Sequence, residues 1–302
     1  ADTNHEFAAS VAERFGIRCF RTEEELIRSP EVDAILVAAS DVLHEQYALE
    51  AIAQHKYILV EKPLAPDSAA CRRIVDAEMA GGKRFVNVAY MRRYDPYYRD
   101  LKRTLERENL GEPLMLHCVH RNYDAIRTHR THSTIENSLV HEVDICRWLL
   151  GENFKSVQIK LPKCSRRAVE VFQDPQLMYL ETESGVCIDV EGFICTNAAY
   201  EIGCEVCCEN GIVRLAQPPA TEVSTEGFTK HSLEKDWAGR FEEAYTTEIQ
   251  EWVNAVLKDQ QEGPTAWDGY VASIVATAAQ ESLKTGEKLM LQIEATPEFY
   301  KD

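Results

Sequence analysis

Apolar positions in the first 90 residues follow two alternating patterns. One is helical spacing. Phe7, Ala8, Val11, Ala12 and Phe15 share a face and predict a helix over His5–Phe15 that Gly16 ends. The other is the short apolar run. Tyr57–Val60 is unbroken and reads as a strand buried on both faces, Val32–Ala39 as a buried strand, Arg84–Ala89 as a further strand and Arg18–Phe20 as a shorter one. Thr22 followed by three glutamates predicts a cap and a short helix over Glu23–Arg28. Ser40-Asp41 opens a helix from Val42 to about Gln54, and Pro66-Asp67-Ser68 opens another that Gly81-Gly82 closes. Strands and helices alternating at this spacing predict a doubly wound parallel sheet with right-handed crossovers.

After Ala89 the pattern changes. Tyr90 to Pro96 is a polar, aromatic turn, and Pro96 starts a charged helix to about Glu108. Leu114–Val119 reads as a strand, residues 123–135 as a polar loop, and Asn137–Leu150 as a helix stopped by Gly151. Strands with turns follow over Val157–Leu161, Ala168–Phe172, Gln176–Glu183, Val186–Ile194, Ala199–Cys208 and Gly211–Leu215, with Asn210-Gly211 as a hairpin signal. Phe241–Lys258 and Gly269–Thr285 predict helices covering one face of this mostly antiparallel sheet. The uncovered face favours a homo-oligomer, a dimer or tetramer. The expected division is residues 1–90 and residues 91–302, consistent with a length too great for one typical core.

The strand Tyr57–Val60 stops at Glu61-Lys62-Pro63, because proline cannot donate to a ladder and pushes the residue before it out of the helical region. Lys62 is left at the strand tip, where open α/β sheets bind ligands. One element of a dinucleotide-binding sheet is missing. Such a sheet opens with a strand, a G-x-G-x-x-G turn and a helix, and an acid ends its second strand. No such glycine cluster occurs, and Asp2 stands where the acid would be. The expectation is a truncated doubly wound sheet lacking roughly 30 residues at its start, which binds a dinucleotide weakly or not at all; the competing reading is a complete chain with Asp2 a solvated terminal residue.

A second stretch carries candidate chemistry. Asn137, His141, Asp144 and Trp148 fall on one helical stripe, so an amide and a carboxylate would flank a histidine and orient it as a general base. His120, Arg121 and Asn122 end a strand before a polar loop and suit a hydroxyl-rich ligand. Arg92 and Arg93, with Tyr90 and Tyr94, read as a hinge between the two halves. His129 and His132 read as solvated.

Composition narrows the partners. A net charge of −17 argues against nucleic acid and anionic membranes, and no apolar run approaches the length of a bilayer span. The ten cysteines include Cys118, Cys187 and Cys195 inside apolar runs, where a thiol acts as a small hydrophobe. Cys204, Cys207 and Cys208 lack the second pair that a zinc site needs, so no metal is expected. Reduced thiols point to a cytoplasmic protein.

Together, the strand ending Glu61-Lys62-Pro63, then Tyr90-Met91-Arg92-Arg93-Tyr94-Asp95, then Asn137-x-x-x-His141-Glu142-x-Asp144 with Arg147-Trp148-Leu149, resemble the glucose–fructose oxidoreductase/inositol dehydrogenase family, and within it the inositol 2-dehydrogenases. The resemblance implies a Rossmann domain, a mixed α/β substrate domain and the cofactor NAD. It implies hydride transfer from a secondary alcohol of a cyclitol or sugar. His141 would take the hydroxyl proton while Lys62 holds and polarises the oxygen. Asn137 falls where many inositol dehydrogenases carry aspartate. Arg92, His120 and Tyr200 match substrate contacts. Ser40, His44, Glu61 and Lys62 match the nicotinamide side, and Asp2 the adenosine ribose, which favours NAD over NADP. The alternative expectation is a non-catalytic member that binds a sugar or a partner protein.

Overall fold

The computed structural model describes residues 1–126, 128–168, 172–216 and 222–301. The first sheet is parallel, with order β1 (Ala34–Val37), β2 (Tyr57–Glu61) and β3 (Val86–Ala89). The central strand β2 is buried on both faces from Tyr57 to Val60, as its unbroken apolar run requires. Helices α1 (His5–Phe15) and α2 (Glu23–Arg28) precede the sheet, and α3 (Asp41–Ala53) and α4 (Ser68–Gly81) make the crossovers. Side chains close the helix starts. Asn4 accepts the Phe7 N–H, Thr22 that of Glu25 and Asp67 that of Ala70. Glu78 of α4 accepts the Val86 N–H at 2.7 Å and the Tyr300 hydroxyl at 2.7 Å, so one buried carboxylate joins helix, strand and C-terminal segment. The strand expected over Arg18–Phe20 does not form. No described strand lies beside it to complete a ladder, and its side chains are exposed except the half-buried Phe20.

A single 3₁₀ turn, Met91–Tyr94, links this sheet to the rest. Helix α5 (Pro96–Arg107) starts with Asp95 as its cap, and the same carboxylate holds Arg240 at 2.8 and 3.1 Å. The second sheet has seven strands: β4 (Pro113–Arg121), β5 (Phe154–Lys160), β6 (Gln176–Thr182), β7 (Cys187–Phe193), β8 (Glu201–Cys208), β9 (Gly211–Arg214) and β12 (Leu289–Met290). Their order is β12-β5-β6-β7-β4-β8-β9, with β4–β7 the one parallel pair. Strand alternation buries every second residue and leaves the others on an open face, as in β8. That alternation corrects the expectation for Cys187, which lies exposed on the open face, whereas Cys118 and Cys195 are buried. A small hairpin, β10 (Glu222–Thr225) and β11 (Phe228–His231), stands apart from both sheets. The strand expected over Ala168–Phe172 falls largely on residues outside those described.

Helices α6 (Val140–Leu150), α7 (Trp237–Val256) and α8 (Ala266–Thr285) complete the chain. The helix expected from Asn137 begins differently. Thr134–Leu139 is a π-helical turn, and the α-helix starts at Val140. Helix α8 covers β5 and also packs on α4 and α6, so it spans both halves of the molecule. Helix α7 lies chiefly against the Met91–Tyr94 turn and does not share the covering role expected of it. The approach of α8 to the first sheet depends on Gly269. A Cβ there would lie 2.7 Å from Leu64 Cβ and 3.0 Å from Val88 Cγ2. Leu64 follows Lys62-Pro63 directly, so this packing holds the tip of β2 in place. Gly269→Ala is expected to cost about 1–3 kcal/mol through overpacking, seen as a lowered thermal midpoint in a calorimetric scan.

Candidate active site

A cavity of about 610 Å³ opens at the C-terminal tips of β1 and β2. The loop after β1 contributes Ala38 and Ala39, the first turn of α3 contributes Asp41 and His44, the tip of β2 contributes Glu61 and Lys62, and the far wall comes from β4, α6 and the segment before α7. Lys62 is half-buried at the mouth, and its Nζ donates to the Asn137 carbonyl at 3.0 Å. The wide π turn around Asn137 therefore serves as the contact between the two sheets at this point. His44 is fully buried and clamps the two strand-end loops. Its Nδ1 lies 2.8 Å from the Pro63 carbonyl and its Nε2 3.2 Å from that of Ala39.

The histidine stripe of α6 is organised differently from its spacing. His141 lines the cavity, buried, with its Nδ1 lacking a hydrogen-bond partner and its ring edge-on to Tyr90 at 6.4 Å. Asp144 does not orient it. That carboxylate turns to Arg93, at 2.5 Å from Nη2 and 3.0 Å from Nε. Arg93 in turn lies 3.1 Å from Asp268 at the start of α8, and Arg147 reaches the same aspartate at 2.5 Å. A buried guanidinium recruits the nearest carboxylate, and Arg93 outcompetes an imidazole for Asp144. The Arg92–Arg93 pair is thus a buried ionic junction, where the sequence suggests a hinge.

Arg92 does not line the cavity. It is fully buried behind it, where Nη1 donates to Glu142 and Nη2 lies 3.0 Å from Nδ1 of His120. His120 Nδ1 is 3.1 and 3.0 Å from the two Glu142 oxygens. Its ring faces Tyr200 edge-on at 6.1 Å, and both rings line the cavity with Asn122. His129, expected to be solvated, is buried against Phe172 at 4.5 Å and bonded to Thr134 Oγ1 at 3.0 Å, because residues 128–135 fold back onto the cavity wall. His132 is exposed as expected.

Asp2 and Ser40 lie elsewhere. They line a second cavity, of about 500 Å³, along β1. The two cavities share Ala38 and Ala39 at the β1 tip, so they form one crevice with Lys62 and His141 at one end and Asp2 at the other. Among the cysteines, Cys204 does not cluster with Cys207 and Cys208. Its Sγ lies 3.8 Å from Cys118 Sγ, which is 3.6 Å from Cys146 Sγ, and all ten cysteines are free thiols. Sequence reasoning assigned no part in the cavity to Tyr123, Lys235 or Trp237. Their segments meet the site only through the tertiary fold, and no local pattern marks them.

Residues 1–90 match the NAD-binding Rossmann fold of the Gfo/Idh/MocA oxidoreductase family, and residues 102–291 match its C-terminal α/β domain. The chain belongs to the Gfo/Idh/MocA family. It is 39% identical over 303 residues to an inositol 2-dehydrogenase/D-chiro-inositol 3-dehydrogenase of Shouchella clausii, covering 99% of this chain and 88% of that one. It is 40% identical to an inositol 2-dehydrogenase of Klebsiella pneumoniae (strain 342), covering 100% of this chain and 90% of the relative. The solved myo-inositol dehydrogenase of Lactobacillus casei, in complex with NAD(H) and myo-inositol, superposes with a TM-score of 0.97 at 34% identity, over 99% of this chain and 90% of that one.

The charge states in this family member follow from burial and neighbours. Burial, then Lys62, Arg92 and His120, push the His141 imidazole well below its ordinary range, so it is neutral near pH 7. Burial lowers Lys62, opposed by Glu61 and Asp41 and reinforced by Arg92. Burial pushes Glu142 up, but Arg92 and His120 outweigh it and hold the carboxyl below its usual range. Burial raises Glu61. Glu248 of α7, buried with Oε1 unpartnered, is pushed up to about 9 by burial, with Glu61 and Asp144 adding.

This last shift has a stability consequence. The folded protein keeps the Glu248 proton from about pH 4.5 to about pH 9, while the unfolded chain has lost it. Stability therefore falls as pH rises through that window. Glu248→Gln removes the titration. Its thermal midpoint is expected to exceed that of the wild type by several degrees at pH 8.5, and the difference to shrink toward pH 5 in the same unfolding assay.

Proposed function

We propose that this chain oxidises a secondary hydroxyl of a cyclitol, with myo-inositol the first candidate, and uses NAD as the hydride acceptor. The observation that carries the reading is the convergence of Lys62 and His141 on one cavity at the strand tips. The tip of one strand and a later helix deliver a cation and a neutral imidazole to the same small volume. A cation stabilises oxygen that gains negative charge, and a neutral imidazole accepts the proton.

The crevice also suits the cofactor. Where the two cavities meet, beside Ala39, stands Ser40, the N-cap of α3, with no side-chain cap hydrogen bond. His44, which clamps the two tip loops, sits beside it, with Glu61 and Lys62 on the next strand. The outer end of the crevice has the exposed carboxylate of Asp2, which suits a ribose diol and disfavours a 2′-phosphate. In this reading Ser40, His44, Glu61 and Lys62 hold the nicotinamide side and Asp2 the adenosine side. NAD supplies the acceptor for the hydride released from the alcohol carbon.

The chain's own residues do the rest. Lys62 positions the reacting oxygen, and its bond to the Asn137 carbonyl aims the ammonium across the cavity. His141 takes the hydroxyl proton. Asn137, His120 and Tyr200 hold the remaining hydroxyls, and Arg92 supports them from behind by gripping His120. Residues 1–90 serve the cofactor and residues 91–302 the substrate and assembly. The open sheet face, with exposed Met115 and Tyr179, supports a homo-oligomer, a dimer or tetramer. A cytoplasmic protein fits the ten free thiols.

Lys62→Ala and His141→Ala are each expected to lower kcat/KM for myo-inositol with NAD by roughly 10²–10⁴, with far-ultraviolet circular dichroism unchanged. NADH formation followed at 340 nm (an absorbance standard for that product) checks this. Undiminished turnover in both variants would sink the reading.

A further inference from the structure

The acid–base stretch of α6 presents an imbalance. His141 has a free buried Nδ1 and no carboxylate of its own, since Asp144 belongs to Arg93 and position 137 is an asparagine. A proton placed there meets burial and the charges of Lys62 and Arg92. The carboxylate that does serve an imidazole of this cavity is Glu142, and the imidazole is His120.

The tautomer of that imidazole follows from its contacts. Nδ1 lies 3.1 and 3.0 Å from the two Glu142 oxygens and 3.0 Å from Arg92 Nη2. A bare Nδ1 would set its lone pair against two carboxylate oxygens. A protonated Nδ1 donates to them but meets the Arg92 Nη2–H as a second donor at 3.0 Å; two carboxylate acceptors outweigh that one donor, and the guanidinium keeps its own direct bond to Glu142 through Nη1. Nδ1 therefore carries the hydrogen, and the ring nitrogen left over is a bare Nε2. His120 lines the same cavity as His141, so Nε2 is the atom available to a ligand there. The groups facing His120 are Glu142 and His141 of α6, Arg92 of the Met91–Tyr94 turn and Tyr200 before β8, with Lys62 across the cavity.

We propose that Glu142 is a positioning residue that holds His120 as the Nδ1–H tautomer, and that His120 Nε2 keeps the proton which the substrate hydroxyl loses. This rests on the dehydrogenase reading above and names the residue pair that completes its proton balance. The alcohol C–H bond breaks with its electron pair leaving as hydride. The O–H bond breaks with its pair forming the carbonyl. The proton passes from His141, through hydroxyls or water within the shared cavity, to Nε2 of His120. The imidazolium so formed shares Glu142 with Arg92, where the same charge on His141 would have no carboxylate partner at all.

Nitrogen-15 NMR of histidine-labelled full-length protein tests this without turnover, with the His120 signals assigned by their loss in His120→Asn. The expected result is a protonated Nδ1 and bare Nε2 for His120 in the wild type, and loss of that tautomer preference in Glu142→Gln. In kinetics, removing the anion should move the acid limb of the kcat/KM profile to lower pH by roughly one to two units, with Glu142→Asp restoring part of the shift. A wild-type His120 protonated on Nε2, or an acid limb unmoved in Glu142→Gln, overturns the proposal. If Glu142→Gln does not fold, the wild-type tautomer decides alone. Failure of the dehydrogenase reading itself would look different: no NADH from wild-type protein with myo-inositol, whatever the tautomer.

Discussion

Two adjacent arginines in one short turn organise this molecule. Arg92 leaves the end of the first sheet fully buried and Arg93 mostly so, and a cation with so little water around it needs an anion at close range. Each takes a carboxylate from the same helix. Arg92 takes Glu142 and Arg93 takes Asp144, two positions on. Two such bonds fix both the rotation and the depth of α6. His141 stands beside Glu142 on that helix, so its place opposite Lys62 is set by the arginine pairs and not by any bond of its own.

The same anchoring explains the electrostatics of the cavity. Carboxylates near His141 are already committed to guanidinium groups, and the imidazole therefore faces net positive surroundings. A neutral ring results, which is the state a proton acceptor requires. Lys62 experiences a milder version of the same field. Burial and Arg92 lower it, while Glu61 and Asp41 hold it up. The cavity thus keeps a cation and a neutral base side by side, because the ion pairs behind them absorb the opposing charges.

Helix α8 extends this control to the first sheet. Its first turn contributes Asp268 to the Arg93–Arg147 cluster, and one helical position later Gly269 lets the backbone rest against Leu64 and Val88. One turn of one helix therefore grips both the junction and the segment that carries Lys62. The order of the seven-stranded sheet serves the same end. The parallel β4–β7 pair sets β4 inside the sheet, between β7 and β8, and the C-terminal end of β4 carries His120 beside the cavity.

Local chemistry of the chain was enough for the element types. An unbroken apolar run ending at Pro63 makes a buried strand with Lys62 at its tip, whatever surrounds it, because proline removes a donor and apolar surface seeks burial on both faces. The β8–β9 hairpin forms where Asn210-Gly211 signals it, with Glu209-Asn210 as the turn and Gly211 opening β9, and cap and breaker residues find α3 and α4. The motifs around Lys62 and His141 were legible for the same reason: they are local. Partner choice was not. Spacing along α6 offers Asp144 to His141, yet Arg93 arrives from another element and binds it more strongly. His129 looks like a loop histidine until its segment folds against Phe172. Arg18–Phe20 has strand-like residues but no neighbouring strand to bond. Sequence period reports which face of an element is apolar; which buried charge meets which is decided only when elements distant in the chain are brought into contact.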